Sequence, residues 1–464
     1  VDNIDWPSAP GLPTAEQKAE LTAILDRAAA LHLNAVIFQV RPSADALYES
    51  KLEPWSAFLT GRMGRPPAPL WDPLAFAVRE AHARGLELHA WFNPFRARYP
   101  GDDGPAASSH VSRRLPGLVH QYGRYEWMDP GSAETRAMAI RVILDVVKRY
   151  DVDGVHIDDT FYPYPVSRGG RDVPFPDDAT YRAYRKRGGT LSHDDWRRHS
   201  VDLFVEQLYH AVKQVKPWVK VGISPFGIWR PGNPPSVQGF DAYARLFADS
   251  RKWLANGWVD YLAPQLYWPI GQAGQSYADL LSWWVQQNDK GRNLWVGTYA
   301  ARVAGTQGSG PPWPAKEIVD QIRLTREEPG ATGDIFFSMG ALMSDPDSLD
   351  ERLLAGPYAS PALVPSSPWL GTTKPIRPSV SLSLAAGGAR VVEFAPGDGR
   401  SPHQWVVQVR VDSVWHTAIV SGTARAYPLG GGLETADAVS VIAVDRVGNT
   451  SAPTVVVRPV DADR

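Results

Sequence analysis

The sequence contains no cysteine, which excludes disulfides and thiolate chemistry and says little about compartment. No apolar run approaches the ~20 residues needed to span a bilayer. There is no basic run and the net charge is only -2, so neither nucleic acid nor an anionic membrane is indicated as a partner. No Gly-rich phosphate turn follows any β-rich segment, which argues against a nucleotide-binding open sheet. No signal peptide is visible. The chain nevertheless opens at "VDNIDWPSAP" without an initiator Met and part-way through an element, so a signal segment is expected to have been removed upstream. What remains is ordinary globular composition, 464 residues with 44% hydrophobic and 21% charged, enough for a large core and more than one domain. The chain is rich in Trp (18), Tyr (17) and Pro (41). Trp placed in loops suggests a stacking surface for a flat apolar ligand face.

Short β-rich runs alternate with amphipathic helical stretches up to about residue 354. The strands expected are 34–40, 86–92, 154–158, 219–224, 260–267, 294–299 and 334–339. The helices lie near 14–32, 72–84, 132–150, 199–216, 241–256, 276–290, 315–328 and 345–354. Repeated βα units imply parallel strands with crossover helices. Eight helices with seven full strands fit an α/β (β/α)8 TIM barrel whose first strand is truncated to "VDNI". Helix-to-strand connections are short, whereas the strand-to-helix connections 41–71, 94–131, 160–199 and 300–314 are long. The long ones share the rim at the carboxyl ends of the strands, where barrel active sites are built. The domain reading is a barrel over 1–360, a Pro-rich linker over 361–378 ("PALVPSSPWLGTTKPIRP"), and a small β-sandwich over 379–464, where short alternating strands are separated by Gly-rich turns.

On that rim lies "DGVHIDDTFYPYP", residues 153–165, an apolar strand running into two adjacent aspartates and a cluster of aromatics. Two neighbouring carboxylates repel and are costly to desolvate. In isolation such a pair is usually a helix cap or a turn; its place at a barrel strand's carboxyl end makes it a candidate for chemistry. Side chains alternate along a strand, which puts Gly154, His156 and Asp158 inward. The same count points Gln39, Arg41, His89, Trp91, Asn93, Ser224, Gln265, Tyr267, Tyr299 and Ser338 to the axis or rim. A cup of carboxylates, amides, cations and aromatics suits sugars, whose rings stack on aromatic faces and whose hydroxyls take paired hydrogen bonds.

The segments "FQVRPSADALYESKLEPWSAFLTG", "EAHARGLELHAWFNPFRA", "YDVDGVHIDDTFYPYP", "GISPFGIWRPG", "DYLAPQLYW" and "YASPALVPSSPW" resemble the bacterial glycosyl-hydrolase-like family 10, which includes a divisome-localised peptidoglycan glycan hydrolase. The resemblance covers nearly the whole barrel. It implies a (β/α)8 fold, an extracellular or cell-envelope (periplasmic) location, action on cell-wall glycan strands, and a first strand that begins before Val1. The tail, from "KPIRPSVSLSL" to "VSVIAVDRVGNTSAP", resembles a fibronectin type III module. "DGVHIDDT" is also similar to the fourth-strand motif of the family 18 chitinases. In this chain His156 occupies that motif's middle acidic position, Asp158 the next, and Thr160 the place of the catalytic Glu. Tyr267 in "PQLYW" matches a chitinase Tyr that steadies the substrate N-acetyl group.

The reading is a glycoside hydrolase acting, without cofactor or metal, on an N-acetylated, peptidoglycan-derived (denuded) glycan strand. Glycoside hydrolysis generally uses two carboxyl groups, one an acid of raised pKa. Asp158 is expected to be the charged catalytic group, Asp159 the acid, and Asp45, on the loop after strand two, the other candidate. Arg41, His89, Asn93, Arg96, His156, Gln265, Tyr267 and Tyr299 are expected to bind and orient sugar, with Tyr162, Trp229 and Trp268 as stacking platforms. Two rivals remain. One is a metal-dependent polysaccharide deacetylase using His89, His156 and Asp158 as ligands, although no close HxH or HExxH spacing is present. The other is a non-catalytic glycan-binding barrel.

Overall fold

The computed structural model describes residues 5–457 apart from 103, 306, 307, 309 and 385–388; the expected first strand, residues 1–4, lies outside them. The chain divides into two compact units. One is formed by the described residues up to 24 with 37–78 and 88–352, the other by 25–36, 79–87 and 353 onward.

The first unit carries a parallel sheet of seven strands: β1 (Ala35–Arg41), β2 (Glu87–Phe92), β3 (Gly154–Ile157), β4 (Lys220–Ile223), β5 (Tyr261–Leu262), β6 (Asn293–Thr298) and β7 (Gly333–Phe336). They neighbour one another in chain order. α1 (Thr14–Ala30) precedes β1. Each strand then leads to a helix: α2 (Pro73–Ala83), α3 (Ala133–Arg149), α4 (His193–Val215), α5 (Ser250–Asn256), α6 (Tyr277–Gln286), α7 (Ala315–Glu327) and α8 (Leu349–Leu354). This is the strand-helix repeat of a (β/α)8 barrel. The start of the described chain lies against both edge strands: Asp5 accepts from Ser338 Oγ (2.8 Å) and Gly340 N (2.9 Å) just past β7, and Trp6 packs on Phe38 of β1 with ring centres 5.5 Å apart.

Alternation along the strands sorts the side chains as period two requires. Val155, Ile157, Val221, Ile223, Leu294 and Val296 are fully buried and lie on the helix-facing side. The axis is filled by large side chains opposite glycines. Tyr261 stacks on Trp295 with centres 4.1 Å apart, and His89 lies beside both rings. A Cβ on Gly222 would fall inside the Tyr261 ring, and one on Gly154 inside the His89 imidazole, so these two glycines make room for the interior layer.

Among the departures from the sequence expectation, three have a clear local cause. α4 begins at His193 rather than 199, because Ser192 caps it by accepting from Asp195 N, with Asp194 and Asp195 in the first turn where they favour the helix dipole. The helix expected over 241–256 is two, Ala242–Arg245 and α5, separated where Phe247 takes φ of 54°. β5 is only two residues long, since Pro264 has no N–H to continue the ladder; pairing resumes as single bridges from Gln265 to Phe226 and Gly297.

The second unit contains antiparallel sheets built from β8 (Ser379–Leu384), β9 (Arg390–Ala395), β10 (Gln404–Val411), β11 (Val414–Ser421), β12 (Ala426–Pro428), β13 (Ala438–Val444) and β14 (Thr454–Val457). One sheet runs β8-β9-β12 and the other β11-β10-β13-β14. Val392 and Phe394 from the first meet Trp405, Val407, Val439 and Val441 from the second in one apolar core, which makes a small β-sandwich.

Candidate active site

The site is built upward from the barrel floor. The Tyr261 hydroxyl lies 2.9 Å from Nδ1 of His89 and 2.9 Å from Nδ1 of His156. One phenol can donate to one ring and accept from the other. Burial, with the neighbouring His89, pushes His156 down to about 3, so this ring is neutral under ordinary conditions. The floor is therefore a closed polar network that carries no charge on His156. Among the described residues, the His and carboxylate groups whose ligand atoms converge do not include His89, His156 and Asp158, the set named for the metal-dependent alternative.

Asp158 and Asp159 follow β3 directly, both buried. Asp158 Oδ1 accepts from Thr160 Oγ1 (2.8 Å) and Thr160 N (3.3 Å), a turn that fixes its carboxylate at the end of the strand. Thr160, at the position where the chitinase motif has Glu, thus serves as a donor to Asp158. Asp159 Oδ2 accepts a hydrogen bond from the Tyr164 hydroxyl. Burial, reinforced by the Asp158 charge, raises Asp159 to about 7, while the Tyr164 hydrogen bond acts in the opposite sense. A carboxyl raised in this way beside a second one can supply an acid at near-neutral pH.

Aromatic side chains flank the pair. Tyr267 stacks on Tyr299 (ring centres 4.5 Å apart) and lies 5.9 Å from Phe337, so the loops after β5, β6 and β7 each contribute one ring. Burial first, then the charges of Asp159 and Asp158, push the Tyr267 hydroxyl well above the usual phenol range; it stays protonated and able to donate. A second row starts at Tyr164, which is 42% exposed. It continues through Phe240 (5.5 Å), Phe226 (5.2 Å) and Trp268 (5.6 Å), successive centre-to-centre distances. Gln265 lies between these groups on the chain and donates to Ser224 O at 3.0 Å.

Other residues expected in the site are placed differently. Arg41 is fully buried and doubly bonded to Glu53, with a further bond from Nη1 to Asn93 O. It is a structural cation of the loop after β1 and not a partner of the aspartates. Asn93 is buried and donates to Pro42 O (3.2 Å), tying the same loop down. Asp45 is held in its own loop by Ser43 N (2.9 Å) and the Ser56 side chain, and burial raises its pKa. Arg96 is buried on a short strand, Arg96–Arg98, opposite Trp127. Tyr162 points into the core of its loop, its ring edge-on to Phe175 (5.3 Å) and Phe247 (5.1 Å) and its hydroxyl on Asp177; it is an anchor and not a platform. Trp229 stacks on Trp283 of α6 (5.9 Å) and donates to Asp249 (3.0 Å), which commits it to packing at the helical layer.

Sequence reasoning passed over Tyr261, Trp295, Tyr164, Phe226 and Phe240. Tyr261 shares the inward parity of Gln265 and Tyr267, and Trp295 that of Tyr299, so counting by two along "DYLAPQLY" and "LWVGTY" would have found both. Tyr164 was visible only as part of an aromatic cluster, because loop residues have no period.

Over residues 1–314 the sequence matches the family described as glycosyl hydrolase-like 10. Glycosyl hydrolase YngK of Bacillus subtilis (strain 168) is 41% identical over 389 residues, covering 82% of this chain and 74% of its own length. Glycosyl hydrolase DigH of Escherichia coli (strain K12) is 34% identical over 364 residues, covering 73% of this chain and 80% of its own.

Proposed function

This chain belongs to the glycosyl hydrolase-like 10 family and is a glycoside hydrolase, and from that premise we propose that it cleaves an N-acetylated cell-wall glycan, peptidoglycan strands freed of their peptides, outside the cell or in the envelope. The observation that carries the reading is the Asp158–Asp159 pair, one carboxyl raised to about 7 beside the charge of the other, with aromatic rings around it. Asp159 is the acid that protonates the leaving oxygen and then, as a carboxylate, takes a proton from water. Asp158 is the charged group that balances positive charge developing at the anomeric carbon. Tyr267, Tyr299, Trp268 and Tyr164 are the faces against which sugar rings lie, and Gln265 presents an amide to their hydroxyls. The neutral His156 and His89 hold the floor in shape beneath them. The β-sandwich, which resembles a fibronectin type III module, is an accessory element that takes no part in the chemistry.

Purified glycan strands from which an amidase has removed the stem peptides test the reading. New reducing ends and soluble short saccharides are expected from the native protein and not from Asp159→Ala. A folded protein that binds such strands without ever releasing product would favour the non-catalytic rival and end this proposal.

A further inference from the structure

The loop that leaves β3 carries a short hairpin, Ser167–Arg168 paired with Arg171–Asp172. Gly169 and Gly170 close it at φ of 57° and 76°, the left-handed angles that a two-residue turn requires. All of its residues are exposed. Arg168 and Arg171 stand directly opposite each other in the ladder, a like-charged pairing that weakens a hairpin. The hairpin's own acid does not relieve them. Asp172 accepts from Ser167 Oγ (3.0 Å) and from Nε and Nη2 of Arg245 (2.9 and 2.6 Å). Among the described residues neither Arg168 nor Arg171 forms an ion pair. Arg124 is likewise exposed, at the turn of a neighbouring hairpin formed by Val119–Tyr122 and Tyr125–Met128. Tyr122 ties the two hairpins together: its hydroxyl accepts from Val166 N (3.2 Å) and donates to Val173 O (2.7 Å).

Arg245 joins this cationic patch to the site. Its guanidinium lies 4.7 Å from the centre of the Phe240 ring. Phe240 in turn lies 5.5 Å from Tyr164, whose hydroxyl donates to Asp159. A sugar lying on Tyr164 therefore has the patch beside it. We propose that Arg168 and Arg171, with Arg124 near them, form a subsite for the carboxylate of an acidic sugar in the strand, the lactyl group of a muramic residue. This rests on the glycan-strand reading given above. Guanidinium forks match carboxylates with paired, charge-assisted hydrogen bonds. While a stem peptide is attached, the lactyl carbonyl is an amide and carries no charge. Removing the peptide leaves a carboxylate on every second sugar, so the subsite reads the charge that peptide removal exposes.

The test uses the full chain and three glycans: peptide-free strands, the same strands with their carboxyls converted to methylamides, and a polymer alternating N-acetylglucosamine with glucuronate. The native protein is expected to show a KM roughly three- to tenfold lower on the free acid than on the methylamide, the gain that one or two exposed charge pairs supply. That gap should close in about 1 M salt, where screening acts over about 3 Å. In the Arg168→Gln, Arg171→Gln double variant the two KM values should become equal. Equal KM values for the native protein, or a folded variant that keeps the native ratio, would overturn the inference, while continued product release leaves the hydrolase reading intact. Faster turnover of the glucuronate polymer than of the peptide-free strands would overturn the muramic source of the carboxylate. Absence of product from every glycan would instead overturn the hydrolase reading, and this inference with it.

Discussion

The Tyr164 hydroxyl donates to Oδ2 of Asp159, five residues back along the loop that leaves β3. The bond favours the ionised carboxyl and so lowers the Asp159 pKa, against burial and the Asp158 charge, which raise it. Tyr164→Phe is therefore expected to raise Asp159 further. The acid form would persist to higher pH, and the alkaline limb of kcat/KM would move up by roughly half to one pH unit, the equivalent of one ordinary hydrogen bond. A pH–rate profile checks it. A limb that stays in place, or moves down, would mean that Asp159 is not the group whose ionisation ends activity.

The same loop is anchored at a distance from the pair. Asp177 is fully buried, with Arg197 donating from Nε to Oδ2 (2.8 Å) and from Nη2 to Oδ1 (2.6 Å), and His193 lying 2.9 Å from Oδ1. Removing the Arg197 guanidinium strands the carboxylate without its main partner, and breaking a buried pair in this way typically costs about 3–5 kcal/mol. Arg197→Met should lower the thermal midpoint by several degrees and weaken glycan binding, because Tyr164 rides on this loop. The measurement is a melting curve beside KM. An unchanged midpoint would show that the loop is held by its aromatic contacts alone.

Much of this arrangement was legible before any coordinates. Strand and helix positions follow from local periodicity, which is why β1, β2, β3, β4 and β6 fall within a residue or two of expectation. Period two also turned His89, His156 and Asp158 inward, and adjacency at the end of β3 marked the pair. What could not be read is how the loops fold back. Arg41, Asp45, Tyr162 and Trp229 are polar or aromatic residues on or beside the rim, as a site requires. Whether each faces the cup or its own loop depends on partners distant in sequence: Asn93 for Arg41, Asp177 for Tyr162, Trp283 for Trp229. A helix break such as that at Phe247 likewise depends on a backbone angle that residue type does not announce.

Stability should fall as pH rises from about 4 to 7. Burial raises both Asp159 and Asp334 from 3.8 to about 7. The folded chain therefore keeps protons that the unfolded chain has already released across that window, and each unit of separation corresponds to about 1.4 kcal/mol. Asp334 gives the cleaner test because it lies on the helix-facing side of β7 near Thr325 of α7, away from the proposed chemistry. Asp334→Asn is expected to be more stable than the native protein at pH 8 and no more stable at pH 4. Thermal midpoints at the two values decide it. An equal effect at both would show that the carboxyl is not protonated in the folded state.

Asp158→Asn bears most directly on the site. Asn keeps the shape of the side chain and an Oδ1 that can still accept from Thr160, so the turn after β3 is preserved. Arg41, the cation that would make Asp158 a structural counter-ion, is already paired with Glu53. The variant should therefore melt within about 1 kcal/mol of the native protein. Turnover should fall by at least the 10²–10⁴-fold typical of losing a group central to acid–base chemistry. Removing the Asp158 charge also removes one of the two causes that hold Asp159 high, so the alkaline limb of the residual activity should move to lower pH, opposite to Tyr164→Phe. A variant that is stable and fully active, or one that loses activity only by unfolding, would remove Asp158 from the mechanism.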